Sequence, residues 1–166
     1  MTHVVLSLGS NIDREKNTRF AIDQIRKRYG ELDISPVYET SSVGFVGPAF
    51  FNLIVGIHTD ESLNEIIEAL KRIENQAGRT RGPKTFDSRV LDIDVVLYGS
   101  QNFRDQGINV PRDEIEKYAY VLKPLADIYS NLIHPATNST FGQMWEKFEI
   151  KDQTLFIAEF PIEEEK

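Results

Sequence analysis

Two aspartates one residue apart, Asp92 and Asp94, lie in an otherwise apolar run that follows a loop rich in cations. The run is rich in β-branched residues and has the length of a strand. Strand side chains alternate between two faces, so both carboxylates are expected on one face, with Cα atoms roughly 6.5–7 Å apart. Hard divalent cations prefer oxygen ligands. The pair therefore predicts a site for divalent metal ions.

The loop before this strand carries four cations, Arg79, Arg81, Lys84 and Arg89. Guanidinium groups bind phosphate oxygens through paired hydrogen bonds. Beside a carboxylate pair they predict a phosphate clamp, and the two features together indicate metal–nucleotide chemistry. The alternative is a solvated strand with ordinary surface cations, but two aspartates on one strand face repel each other unless a positive charge intervenes.

Glu74 lies within the apolar stripe of the clearest helix, predicted over 62–77. Apolar residues recur there with a 3.6-residue period, and Gly78 is expected to end the helix. A carboxylate on that stripe needs a partner or a ligand. The alternative is that Glu74, close to the helix end, simply reaches solvent.

Asn52 and the aromatic residues Phe50 and Tyr120 are candidates for holding a flat ligand. Phe50 and Asn52 are two residues apart and are expected on one face of a strand over 50–58. An asparagine amide offers both donors and acceptors to a heterocycle. The two aromatic side chains could equally belong to the core, where such residues are commonly found.

Composition limits the classes of function. A net charge of −7 argues against a protein that coats nucleic acid, which needs a broad basic surface. The absence of cysteine excludes disulfides, thiolate zinc sites and cysteine nucleophiles. None of the three histidines has a partner at metal-ligand spacing. The two common glycine-rich phosphate loops are also absent, so a nucleotide must be held by side chains, metal and irregular backbone.

The chain also has no pattern that indicates a membrane or secreted protein. No apolar stretch approaches the roughly 18 residues of a membrane span. The N-terminus continues directly into foldable sequence, without a signal-peptide pattern. The sequence therefore predicts a cytoplasmic protein with one domain over 1–162 and an acidic tail over 163–166.

The order of the elements predicts the fold class. Strands and helices alternate as β-α-β-β-α-β, with the strands expected over 3–8, 32–40, 50–58 and 90–97. This order predicts a ferredoxin-like α+β fold, a sandwich with helices on one face of an antiparallel sheet and an active-site cleft on the other. In the last strand, one set of side chains is expected against the helices, namely Leu91, Ile93, Val95 and Leu97.

The C-terminal part adds smaller elements to this pattern. A short extra strand is expected over 108–111, and a helix over 119–128 with Pro124 as a kink or boundary. A short helix over 141–148 and a last strand over 154–160 complete the prediction.

Taken together, these stretches resemble the family of 6-hydroxymethyl-7,8-dihydropterin pyrophosphokinases, often called HPPK. The similarity covers residues 4–135, in order and with near-family spacing. The most specific part is Gly-Arg-x-Arg followed by Leu-Asp-Ile-Asp, at 78–81 and 91–94. The other matches are Leu8-Gly9-Ser10-Asn11, Tyr38-Glu39-Thr40, Phe50-Phe51-Asn52, Arg72-Ile73-Glu74, Leu97-Tyr98-Gly99, Val110-Pro111 and Leu122 with Pro124-Leu125.

The resemblance implies transfer of a whole diphosphate from MgATP to the pterin's hydroxymethyl group, with AMP as the second product. It implies ATP and the hydroxymethyl dihydropterin as the partners of a monomer in folate biosynthesis, with no nucleic acid and no membrane. Asp92 and Asp94 would ligate two Mg²⁺ ions on the ATP phosphates. Arg79 and Arg89 resemble catalytic-loop arginines that stabilise the moving phosphates.

The resemblance also assigns residues to the two substrates. On the ATP side it implies Arg81 and Glu74, with Lys84 and Arg112 as further cations toward the phosphates. On the pterin side it implies a hydrogen bond from Asn52, stacking on both faces of the ring, and loop backbone at its edge. These pterin positions are Thr40, Val43, Phe50, Asn52 and Tyr120.

The chain departs from the family pattern mainly on the phosphate side. Arg-Trp-Gly-Pro-Arg of the family is Thr-Phe-Asp-Ser-Arg at 85–89, and the usual histidine after Val-Pro is Arg112. Tyr118 occupies an often basic position, and the family's Thr-Pro-Pro is Thr-Ser-Ser at 40–42. Two other functions therefore stay open, a pterin- or nucleotide-binding homologue with little or no activity and a palm-like nucleotidyltransferase.

Overall fold

The computed structural model describes residues 1–41, 48–78, 90–151, 153–160 and 162. The strands are β1 Thr2–Ser10, β2 Asp33–Ile34, β3 Tyr38–Thr40, β4 Phe50–Thr59, β5 Asp92–Tyr98 and β6 Phe156–Ile157. The helices are α1 Arg14–Tyr29, α2 Leu63–Gln76, α3 Glu114–Lys117, α4 Ala119–Ile128 and α5 Phe141–Lys147. Gly30 ends α1 with a positive φ, and the Ser62 hydroxyl caps α2 by accepting from the Glu65 N–H.

The strands form a sheet in the order β5-β1-β4-β3-β6, with β2 also paired to β4. Each of these pairings is antiparallel. The order places the fourth main strand beside the first and the third between the first and second, which is the ferredoxin-like arrangement. The predicted α+β fold class is therefore confirmed. The strand predicted over 32–40 is split into β2 and β3 around Pro36, which has no N–H to donate to a neighbouring strand.

Helices α1 and α2 cover one face of the sheet and enclose the main core. Alternate residues of the long central strands point into it, because strand side chains alternate. From β1 and β4 these are Val4, Leu6, Leu8, Phe51, Leu53, Val55 and Ile57. They pack against Ala21, Ile22, Ile25, Ile66, Leu70 and Ile73 of the two helices.

Helices α3, α4 and α5 lie against part of the other face and build a second core around Val5, Ile54, Leu125 and Phe141. The helices predicted over 119–128 and 141–148 therefore exist, but the sequence pattern did not reveal which face they cover. Helix α4 continues through Pro124, which is not its boundary. The second layer leaves the Asp92 end of this face as a cleft.

A bulge in β5 changes the expected side-chain alternation. The pairing of β1 with β5 shifts between Val5 and Leu6, so that Leu6 pairs with Val95 and Val5 with Leu97. A bulge adds one residue and reverses which face the following side chains occupy. The expectation that Leu97 shares the face of Leu91 is therefore wrong, because Leu97 packs in the second core.

The segment 108–111 is a loop and not the predicted short strand. The Val110–Pro111 peptide bond is cis, and the Val110 carbonyl accepts from the Phe103 N–H at 2.7 Å. The following N–H, that of Arg112, donates to the carbonyl of Val96 at 2.9 Å. The second bond docks the loop onto β5, the strand that carries the two aspartates.

No helix among the described residues has both the length and the apolar composition needed to cross a membrane.

The histidine pair at the far end of the sheet predicts a pH dependence of stability. His3 stacks on His58, with ring centroids 4.8 Å apart, and its Nε2 lies 3.1 Å from the Tyr129 hydroxyl, which donates to Asp33. Burial and the neighbouring His58 lower the pKa of His3, and Asp33 opposes them only in part. Because protonation then favours the unfolded chain, we expect the free energy of unfolding to fall as pH drops below about 6.5.

Urea unfolding of the wild type and of His3→Gln between pH about 5 and about 8 measures this contribution. We expect a smaller loss of stability toward low pH in the variant. Equal pH dependence of the two proteins would rule out His3 as the source.

Candidate active site

The open face of the sheet places the predicted metal and ligand residues in one row. In the strand register, Gly9 of β1 pairs with Asp92 on one side and with Asn52 on the other, and Asn52 pairs with Tyr38 of β3. Ser7 is likewise paired with Asp94. The carboxylates and the Asn52 amide therefore lie on the same face, on either side of β1, as their strand parity predicts.

Gly9 keeps the space between the carboxylates and the amide open. A Cβ added there would lie 3.3 Å from Oδ1 of Asn52. The Asn52 Nδ2 donates to the Thr40 hydroxyl at 2.8 Å, and both side chains are buried. This bond turns the amide so that its carbonyl oxygen faces Gly9, where it can accept a hydrogen bond from a ligand.

A cavity of about 520 Å³ lies over this row. It is large enough for a small heterocycle with a charged substituent. Its lining includes Asp92 and Asp94 at one end and Asn52 at the other. Also in the wall are four further residues from the sequence predictions, Thr40, Phe50, Arg112 and Tyr120.

At the Asp94 end of the cavity, the cationic side chain of Arg112 lies near two carboxylates, those of Asp94 and Glu114. The Arg112 Nη2 lies 3.7 Å from the Asp94 Oδ2, and the Arg112 Nε donates to the Glu114 Oε1 at 2.6 Å. Burial alone would lower the pKa of Arg112, but the carboxylates of Asp94 and Glu114 outweigh it and raise that pKa. The guanidinium is therefore a permanent cation beside the two aspartates.

The metal prediction is compatible with these side chains. Within the described residues, no group of three or more histidine, aspartate and glutamate side chains is placed to hold a metal ion. Two carboxylates from one strand suit Mg²⁺, which commonly binds one or two carboxylates and completes its octahedron with water and substrate phosphates. The pair thus fits a metal that arrives with a phosphate ligand.

Glu74 is buried against β5 and does not reach solvent, so the alternative made for it is wrong. Its Oε2 accepts from the Ile93 N–H at 3.2 Å, next to both aspartates. It also lines a second cavity of about 220 Å³ whose wall includes Asp94 and Arg112. Asp94 and Arg112 therefore line both cavities.

Tyr120 stacks on Tyr118, with ring centroids 5.0 Å apart and planes 14° from parallel. Both rings line the larger cavity. Burial, followed by the charge of Glu114, raises the pKa of Tyr120, so its phenol stays neutral at physiological pH. Tyr120 therefore offers the cavity a neutral aromatic ring, which is compatible with the stacking predicted for it.

Several predicted site residues lie outside the described residues. They are Val43 of the loop before β4 and the four cations Arg79, Arg81, Lys84 and Arg89. Conversely, Glu114 and Gly9 belong to the site but were not singled out as site residues from the sequence. The only sequence signal for Glu114 is the acidic segment after Pro111. Gly9 belongs to a Gly-Ser-Asn turn motif that is too weak to assign the residue a role in the site.

Comparison with known proteins identifies the family. The model of the family 7,8-dihydro-6-hydroxymethylpterin-pyrophosphokinase (HPPK) matches residues 5–130. The chain belongs to the HPPK family. It is 33% identical over 142 residues to the Bacillus subtilis 2-amino-4-hydroxy-6-hydroxymethyldihydropteridine pyrophosphokinase, covering 83% of this chain and 84% of that protein. The resemblance stated from the sequence is thereby confirmed.

Other HPPK relatives are parts of longer proteins. The chain is 31% identical over 153 residues to the folic acid synthesis protein fol1 of Pneumocystis carinii, covering 87% of this chain but only 20% of fol1. The HPPK-DHPS structure of Plasmodium falciparum with pteroate matches with a TM-score of 0.67 at 15% identity. That match covers 89% of this chain and 42% of the other, and it supports the HPPK fold alone.

Proposed function

We propose that this HPPK-family protein transfers the diphosphate of ATP to the hydroxymethyl group of 6-hydroxymethyl-7,8-dihydropterin, giving AMP and the pterin diphosphate. One observation carries the proposal. A single cavity has a carboxylate pair, Asp92 and Asp94, at one end and a buried, oriented amide, Asn52, at the other. A pterin bound to the amide would direct its substituent along the row toward the carboxylates.

At the pterin end, we assign the ring to the space over Gly9. The Asn52 carbonyl oxygen would accept from the ring's N–H groups, and Phe50 and Tyr120 would contact its faces. Thr40 contributes by holding the Asn52 amide in its orientation. Val43, from outside the described residues, is assigned to the same ligand by family resemblance alone.

At the nucleotide end, we assign the base and sugar to the smaller cavity beside Glu74. Since Asp94 and Arg112 line both cavities, a triphosphate that runs from one to the other would pass these two side chains. Arg112 supplies a fixed positive charge there. Arg79, Arg81, Lys84 and Arg89 keep their sequence-based assignment as phosphate-binding cations, with Arg79 and Arg89 in catalysis.

The reaction is an in-line displacement. The pterin hydroxyl oxygen forms a bond to the β-phosphorus of ATP, the bond from that phosphorus to the α,β-bridging oxygen breaks, and AMP leaves. Asp92 and Asp94 would hold two Mg²⁺ ions, which when bound would supply positive charge against the phosphates. Arg112 would offset negative charge on the transferred group. We propose no general base among the described residues, and the hydroxyl proton would pass to solvent water.

We also propose that the protein acts as a monomer through a single domain over residues 1–162. Light scattering of the purified protein tests the first point. A mass of twice 19.0 kDa would contradict it.

Product analysis tests the proposed function. The purified protein is incubated with ATP, Mg²⁺ and the reduced hydroxymethyl pterin, and the nucleotides are separated by chromatography. We expect AMP in amounts equal to the pterin consumed, and none without pterin or with excess chelator. ADP as the nucleotide product, or pyrophosphate with a nucleotidylated pterin, would contradict the proposal. Pterin binding without any turnover would instead indicate an inactive homologue.

A further inference from the structure

Arg112 is held by Glu114 more closely than by the predicted metal ligand Asp94. The bond from Nε to the Glu114 Oε1 is 2.6 Å long, within hydrogen-bond distance. The Nη2 lies 3.7 Å from the Asp94 Oδ2, beyond a direct hydrogen bond. The guanidinium thus faces Asp94 without forming the paired hydrogen bonds that arginine and carboxylate usually make.

Hydrogen bonds fix the main chain at Arg112 but do not fix the direction of its side chain. The Arg112 N–H donates to the carbonyl of Val96 on β5, and its carbonyl accepts from the Ile115 N–H. The Arg104 Nε donates to the carbonyl of Pro111 at 2.8 Å. A long side chain on this anchored backbone still has several rotatable bonds, so the carboxylates around it decide its direction.

We propose that Glu114 is a positioning residue that keeps the Arg112 guanidinium from closing onto Asp94, so that Asp94 can ligate a metal that arrives with the nucleotide. This inference rests on the proposed function. It concerns an interaction within the protein, since Glu114 contacts Arg112 and is not assigned to either substrate.

The physical reason is competition for one carboxylate. The Arg112 guanidinium faces Asp94, a divalent cation would bind the same carboxylate, and both are permanent charges. All three side chains are partly buried, with 29% of Arg112, 27% of Asp94 and 27% of Glu114 exposed, which strengthens such pairs relative to open water. Without Glu114, the guanidinium would form a bidentate pair with Asp94 that a metal must first break.

The test measures metal affinity in the whole protein. Binding of Mg²⁺ is followed by calorimetry in the presence of a saturating, non-hydrolysable α,β-methylene analogue of ATP, and AMP release gives the ATP KM separately. We expect Glu114→Gln to weaken the apparent Mg²⁺ affinity about tenfold, the factor that corresponds to one charge-assisted hydrogen bond. The proposed pterin hydrogen bond is made by Asn52 at the other end of the cavity, so pterin affinity is expected to change less than the Mg²⁺ affinity.

Two further variants separate positioning from simple loss of negative charge. Glu114→Asp keeps the charge but is one methylene shorter, so it cannot hold the guanidinium at the same place, and we expect it to weaken Mg²⁺ binding as Glu114→Gln does. In an Arg112→Gln background, we expect Glu114→Gln to have no additional effect, because the competing cation is gone. Wild-type metal affinity in Glu114→Asp, or additive effects in the double variant, would overturn the proposal.

The outcomes also distinguish failure of this inference from failure of the proposed function. If the wild type releases AMP and binds Mg²⁺ with the analogue while every Glu114 variant matches it, only the positioning role is wrong. If the wild type neither releases AMP nor binds Mg²⁺ with the analogue, the proposed function is wrong and the positioning role is wrong with it.

Discussion

Replacing Asp92 or Asp94 with alanine is expected to lower the rate of AMP formation by at least about 1000-fold, the scale of losing charge stabilisation at a transferring phosphoryl group. Each substitution removes half of the carboxylate pair that we assign to the metal ions. Single-turnover measurements at saturating substrates report the loss directly, because they exclude slow product release.

Folding should survive both substitutions, because the two side chains point into the cleft and not into either core. We therefore expect thermal midpoints near that of the wild type and unchanged pterin affinity. Asp60→Ala is a matched control, since that carboxylate is 81% exposed at the far end of the sheet and should leave the rate unchanged. Near-normal turnover in Asp92→Ala or Asp94→Ala would contradict the metal assignment.

Replacing Asn52 with alanine is expected to weaken pterin binding about 100-fold, with a much smaller effect on the affinity for the nucleotide. The amide is buried and is oriented by its bond to Thr40, so its loss would leave pterin N–H groups without their proposed partner. Burying a donor without a partner costs about 1–3 kcal/mol, which corresponds to this range. Fluorescence titration with the pterin, without ATP, measures the effect.

Thr40→Val provides the comparison for this prediction. It keeps the shape of Thr40 but removes the oxygen that orients the Asn52 amide, so we expect a smaller loss of about tenfold in pterin affinity. Affinity for the ATP analogue should stay within about twofold of the wild type in both variants. Equal pterin affinity in Asn52→Ala and the wild type would remove Asn52 from the site.

The part of the site that follows from strand alternation could be predicted from the sequence. Asp92 and Asp94 share a face because strand side chains have a period of two residues, and the same rule placed Phe50 with Asn52. Helical periodicity likewise placed Glu74 on the apolar stripe of α2. Its partner, the Ile93 N–H on β5, depends on how the helix and strand pack and could not be derived from the helix alone.

Other features depend on irregular backbone, for which the sequence has no simple periodic signal. The bulge that moves Leu97 to the second core arises from pairing between β1 and β5 and not from the composition of either strand. Arg112 and Glu114 are two residues apart, and where the loop docks onto β5, Arg112 faces Asp94 while Glu114 contacts Arg112. The residues 108–111 looked like a strand because the apolar Ile108 and Val110 lie on either side of the polar Asn109.

The most direct test of diphosphate transfer follows the β-phosphorus of ATP. ATP labelled at that atom is incubated with the protein, Mg²⁺ and 6-hydroxymethyl-7,8-dihydropterin, and the label is located in the separated products. The proposed function predicts all transferred label in the pterin product and unlabelled AMP. Label retained in ADP, or released as pyrophosphate, would contradict it.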